Sequence, residues 1–257
     1  MKRIALVAAL ALAAAPSFAG VVYRYHRETE GHPLMTLDGE IAAEGPNLKM
    51  TVSHGDALFK SGSVVLSRDG GKTIAVFDPA SKTYFEMPFQ GSSGMGDVLR
   101  SSGVKVSVEN PSFHFDDAGD GGSIEGFPTR KLIMDASSDV KTDAGGEIMS
   151  AKVSSRTEIW MTDKLDAAAG NLMQQRGVVT GILGLDEVAA QASKSLEGRF
   201  PLKQVMTVHM TANGHEVITT STQTVSNVRQ APLDASAFAA PVGYTKVDNP
   251  IEAMKKR

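Results

Sequence analysis

Residues 63–88, "SVVLSRDGGKTIAVFDPASKTYFEMP", decide the fold class. Asp69-Gly70-Gly71 and Asp78-Pro79-Ala80-Ser81 carry turn chemistry, because Gly accepts positive φ and Pro presets φ for a turn. Three short β-rich runs remain around them, 63–67, 73–77 and 83–87, and they read as a meander. Towards the N-terminus, "VVYRYHRE" (21–28) places Val21, Tyr23 and Tyr25 on one face and Arg24 and His26 on the other. "NLKMTVSH" (47–54) repeats the pattern with Leu48, Met50 and Val52. Successive side chains of a strand face opposite sides, so this period of two marks half-buried sheet.

Towards the C-terminus, "GSSGMGDVLRSSG" (91–103) interrupts the pattern and reads as a loop or lid hinge around a short helix at 95–101. Strands are expected at 104–109, 112–116 and 127–135, with a polar, Gly-containing stretch at 137–146. A long strand then ends in "SSRTEIWMTD" (154–163). On it Val153, Thr157, Ile159 and Met161 share one face, while Arg156, Glu158 and Trp160 share the other. Residues 164–198 read as a helical insertion. Asp166 would cap one helix running to about Arg176, with Gly177 as its stop, and Asp186 a second ending at Gly198. Ile182, Leu185, Ala189, Ala192 and Leu196 fall on one apolar stripe at helical spacing. "FPLKQVMTVHMTANGHEVITTSTQTVSNV" (200–228) is two long alternating runs joined at Asn213-Gly214, a strong hairpin signature. The fold class expected is mainly β (α+β), as one domain.

The start, "MKRIALVAALALAAAPSFAG", has a basic pair, Lys2 and Arg3, an apolar run from Ile4 to Ala15, and small residues Ser17 and Ala19 before Gly20. That is the pattern of a secretory signal peptide over residues 1–19, cut after Ala19. At ~1.5 Å per residue, the run of 12 spans only about 18 Å, short of the roughly 30 Å core of a bilayer. The expected location of residues 20–257 is the periplasm. With no Cys in the chain, neither a lipid anchor at the cut nor a thiolate metal site can form, and stability has to come from a core rather than disulfides. Without Lys2 and Arg3, 24 basic residues face 29 acidic ones, a net charge of −5. A mildly acidic surface disfavours nucleic acid or anionic headgroups as the main partner.

Catalytic and metal chemistry finds little footing. The His residues at 26, 32, 54, 114, 209 and 215 form neither an H-x-x-x-H pair nor H-E-x-x-H. There is no G-x-S-x-G elbow. In "DDAGDGGSIE" Asp116, Asp120 and Glu125 resemble a calcium loop, but Ala118 fills a ligand position and Glu125 comes too early, so an acidic turn is expected there. No cofactor, no metal and no enzyme activity are expected.

The order of "KTIAVFDPASKTYFEMP", "IEGFPTRKLIMD", "RTEIWMTDKLD", "FPLKQVMTV" and "DASAFAAPVGY", spread over most of residues 20–247, resembles the periplasmic family with the outer-membrane lipoprotein carrier (LolA-like) fold, in particular its secreted relatives. The resemblance implies a curved antiparallel half-barrel with two or three helices covering its concave face, and between them an apolar cavity that takes acyl chains in the carriers. Three function classes stand side by side. The first is a periplasmic binder or carrier for a lipid, lipopeptide or other apolar molecule. The second is a non-catalytic structural or sensory module for a protein partner in the cell envelope. The third is a hydrolase, for which no nucleophile–base set is visible. Under the first, Met161, Met173, Ile182, Leu185, Ala189, Ala192 and Leu196 are the expected cavity lining. Met suits a cavity that adapts to a flexible chain.

Overall fold

The computed structural model describes residues 20–56, 59–89, 103–170 and 184–249. Among them, one sheet is built from β1 (Val21–Thr29), β2 (Leu37–Glu44), β3 (Asn47–His54), β4 (Val64–Ser67), β5 (Thr73–Asp78), β6 (Thr83–Pro88), β7 (Val104–Ile124), β8 (Phe127–Ala144), β9 (Glu147–Thr162), β10 (Phe200–Ala212), β11 (His215–Gln230) and β12 (Thr245–Lys246). Their order is β12-β6-β5-β4-β3-β2-β1-β11-β10-β9-β8-β7. Two meanders, β1–β6 and β7–β11, are therefore sewn together by the antiparallel pairing of β1 with β11. The sheet is open, ending at β12 and at β7, and β12 runs parallel to β6 where the other pairs are antiparallel.

Turn chemistry explains the hairpins. Asn213 and Gly214 both sit at positive φ, 52° and 78°, between β10 and β11, as a tight primed turn requires. Glu125 and Gly126 do the same between β7 and β8, at 53° and 79°. The two strands expected at 104–109 and 112–116 are one strand, β7, whose register shifts between Glu109 and Ser112, where Asn110 takes a φ of 50°. The acidic segment also belongs to β7 rather than to a turn. Register shifts at Asp117/Gly119 and Asp120/Ser123 absorb its extra residues. Asp117 accepts from Gly119 N and binds Arg130 of β8 at 2.9 Å, and Asp120 accepts from Gly122 N. Likewise β8 continues through the polar stretch to Ala144, since a strand keeps its ladder bonds whatever its side chains.

The core lies on one face of the sheet, here the inner face. Val21, Tyr23 and Tyr25 of β1, Ile41 of β2, Met50 and Val52 of β3, Val65 of β4 and Ile74 and Val76 of β5 form its main cluster. Phe200 and Leu202 of β10, together with Ile124 and Phe127 from the β7–β8 turn, pack against the same cluster. At roughly 4.8 Å per strand, a flat sheet would hold β8 six strands, or about 29 Å, from β3. The sheet must curl for these groups to meet, and Glu125 at the β7–β8 turn indeed accepts a hydrogen bond from Val228 N of β11. A second cluster joins Leu132, Ile159, Met161 and Leu196, flanked by Phe115 and Met134.

One α-helix, α1 (Leu185–Ser195), lies among the described residues, where two or three were expected. The first expected helix begins as the 3-10 turn Ala167–Gly170, with Asp166 accepting from Ala168 N at 2.9 Å, and the rest of its span lies outside the described residues, as does 95–101. The start of α1 also differs from the expectation. Its N-cap is Gly184, at a φ of 77°, and Asp186 sits inside the first turn rather than at the cap. There, with Glu187 beside it and Lys194 in the last turn, it suits the helix dipole. No helix among the described residues is long and apolar enough to cross a membrane.

Candidate functional site on the inner face

Three cross-strand rows define the inner face of the long-stranded half. Leu37, Arg27, Gln223, Gln204, Ile159 and Leu132 face one another across β2, β1, β11, β10, β9 and β8. The next row is Thr29, Ser221, Met206, Thr157, Met134 and Phe115, and beyond it come Thr219, Val208, Ser155, Ala136 and Phe113. The strip mixes apolar side chains with small hydroxyls, and is polar at the centre of the first row. On this side of the sheet, α1 packs against β7. The backbone of Gly184 lies on Val108, so close that a Cβ there would come within 3.1 Å of its side chain.

The polar centre is tightly held. The Arg27 guanidinium donates to Asp56, and both side chains are largely buried, 21% and 10% exposed. Next to Arg27, Gln223 Oε1 is buried with no hydrogen-bond partner among the described residues. Leaving a buried acceptor unpaired costs about 1–3 kcal/mol, so the feature calls for a reason. Tyr25, one step along β1, has its hydroxyl pushed up to about 12 by burial, against the opposing pull of the Arg27 charge and with a smaller upward push from Asp56. Tyr23 is also raised by burial. Its hydroxyl donates to the carbonyl of Ala169 at 2.7 Å, and its ring meets Phe200 edge-on at 5.3 Å. Both phenols are neutral at physiological pH.

Of the lining residues expected from sequence, Met161 and Leu196 are brought together, buried in the second cluster with Ile159 and Leu132. Ala189 and Ala192 are half-buried on α1. Leu185 opens that helix, while Met173 and Ile182 lie outside the described residues. The polar centre was missed, although continuing the Val21, Tyr23, Tyr25 alternation by one step places Arg27 on the inner face.

The outer face of the same strands is charged. Trp160 lies between the ammonium groups of Lys131 and Lys203, 4.8 and 4.9 Å from its ring centre. Lys131 also pairs with Glu158 at 2.9 Å, holding that carboxyl below its ordinary range.

No protein-family model matches this chain. No curated protein matches it either. Among solved structures, the crystal structure of a LolA superfamily protein from Nitrosomonas europaea is similar at 9% identity and a TM-score of 0.30, over 88% of this chain and 92% of the other. At that score the likeness fixes neither the path of individual strands nor a site.

Proposed function

We propose that residues 20–257 form a single periplasmic binding or carrier unit, released from the leader 1–19, that holds an elongated apolar ligand against the inner face under α1. The ligand class is a lipid, a lipopeptide or another apolar molecule bearing one polar group. The observation that carries this reading is the mixed inner face. Phe115, Met134, Met206 and Val208, interspersed with small hydroxyls, border a buried polar centre in which Gln223 Oε1 has no partner among the described residues. An acyl or similar chain would lie along the rows, and a donor on its polar group would meet Gln223. Met161, Leu196, Ala189 and Ala192, together with Leu185, Ile182 and Met173, are the proposed lining. A binder is favoured over a catalyst because the inner-face charges Arg27 and Asp56 neutralise each other. Native mass spectrometry of protein purified from its own periplasm, followed by lipid extraction, tests the reading. A stoichiometric apolar ligand is expected, and an empty protein that takes up no fluorescent fatty acid would refute it.

A second reading, a platform for an envelope protein, is favoured by a separate observation. Large apolar side chains stand exposed at the far ends of the β8–β9 and β10–β11 hairpins: Ile148, Met149, Met210, Val217 and Ile218. Charged substitutions at Ile148 and Ile218 that abolish a crosslink to an envelope protein, with dye uptake intact, would support it.

A further inference from the structure

We propose a second binding site on the outer face, a cleft beneath the C-terminal strap that takes a small aromatic carboxylate. The strap is the segment from Asp234 to Val247, and it is fastened at both ends. At the first end Asp234 caps the 3-10 turn Ala235–Phe238, accepting from Ser236 N at 2.8 Å. Phe238 is buried there, and its carbonyl accepts from Arg68 at 3.2 Å. At the second end Tyr244 meets the edge of Phe77, β12 pairs with β6, and Lys246 binds Glu86 at 2.5 Å.

Between the two fastenings the strap does not fill the space it crosses. Ala239, Ala240, Pro241 and Gly243 are small or compact, and the one branched aliphatic side chain, Val242, is 93% exposed. A segment serving only to cover the outer face of β4 and β5 would turn that side chain inward, because burial is where an apolar group gains stability. What remains is a cleft of about 480 Å³, within the range of small-molecule sites.

Its lining indicates the ligand. The floor is Leu66, Ala75, Phe77 and Tyr84, with the Phe77 and Tyr84 rings stacked at 4.9 Å. That surface suits a flat apolar ring system. The charged side chains at its border are Arg68, Asp69 and Glu86. Asp69 is turned to Ser67 Oγ and Thr73 N, and Glu86 to Lys246. Arg68 spends one bond on Phe238 and has a planar fork of donors to offer a carboxylate. The site stands on the face opposite the proposed carrier strip and does not depend on it.

Calorimetric titration of the mature protein with 2-naphthoate, and with the neutral 2-naphthamide, tests the proposal. Naphthoate should bind at one equivalent, and the amide roughly tenfold more weakly, the span of one charge-assisted hydrogen bond. Arg68→Gln should remove the difference between the two, and Ala75→Phe should abolish binding by filling the floor. Ala240→Trp, on the exposed strap, gives a second way of filling the cleft should Ala75→Phe fail to fold. Excess dodecanoate should not displace naphthoate. No naphthoate binding at about 1 mM, an unchanged preference in Arg68→Gln, retention in both filled variants, or displacement by dodecanoate would each overturn it.

Discussion

The hydroxyl of Tyr23 donates a 2.7 Å hydrogen bond to the carbonyl of Ala169, across 146 positions of sequence. This bond holds the 3-10 turn Ala167–Gly170 against β1, beside the point where the chain leaves β9 for the insertion. Tyr23→Phe would keep the edge-on contact with Phe200 but leave the Ala169 carbonyl buried and unpaired. A loss of about 1–3 kcal/mol is expected, read as a lower urea midpoint at unchanged slope.

Tyr25 predicts an alkaline limit to stability. Its hydroxyl is raised to about 12 in the fold, against about 10 in an unfolded chain. The raised group is an acid whose neutral form is favoured by folding, so its contribution is complete below pH ~10 and is lost as pH rises towards ~12. Two units correspond to about 2–3 kcal/mol. Urea midpoints between pH 9 and 12 should fall less steeply for Tyr25→Phe than for the parent chain. Parallel curves would refute this.

Gly39 lies opposite Tyr25 on β2, and a Cβ there would come within 2.7 Å of Met50 Cε and 2.8 Å of the Thr51 carbonyl. The Met50 tip can move, but the backbone carbonyl cannot without disturbing the β2–β3 ladder. Gly39→Ala should therefore destabilise by about 1–3 kcal/mol, as overpacking does. Thermal unfolding of the variant measures it, and a gain in midpoint would show the β2–β3 ladder to be slack.

Ala192→Trp distinguishes a ligand space under α1 from a packed interface. If the space is there, the indole fills it, fluorescent fatty-acid uptake is lost and the urea midpoint hardly moves. In a packed interface it would cost about 1–3 kcal/mol. Unchanged uptake at unchanged stability would rule out this part of the lining.

Gly20 predicts the mature N-terminus. Its carbonyl accepts from Ala231 N at 2.9 Å, and a Cβ would come within 2.6 Å of the Leu233 side chain. A cut after Ala19 leaves this buried residue as the first of the chain. N-terminal sequencing of periplasmic extract should read Gly-Val-Val-Tyr, and an intact leader in the membrane fraction would contradict it.

The sheet was legible where side chains alternate in character. Val21, Tyr23 and Tyr25, or Thr157, Ile159 and Met161, announce both strand and buried face, and Asn213-Gly214 announces its hairpin. It was less legible where the inner face is polar or small. Strand β2, with Gly39 and Ala43 facing the core, gives no strong alternation, and the far half of β8 carries Ser138 and Thr142 where a core strand would carry Val. The cap of α1 was misplaced because Asp186 has the right chemistry, but Gly184 supplies the backbone bend one turn-start earlier. The burial of Met161 and Leu196 was readable from period. The Arg27–Gln223–Gln204 row depends on register between strands nearly two hundred residues apart, and the cleft under the strap on the return of the C-terminus to β6. Local pattern carries neither.

The seam between the two meanders has a consequence for how the chain is made. Strand β1 sits in the middle of the sheet, and Thr29 on it bonds Ser221 of β11, 192 positions later. During synthesis, the first strand to emerge must wait for nearly the last before one of its edges is paired. Long-range pairings of this kind form slowly, and an unpaired apolar strand edge invites other chains. The half-made protein thus keeps an adhesive edge open until its last long strands arrive.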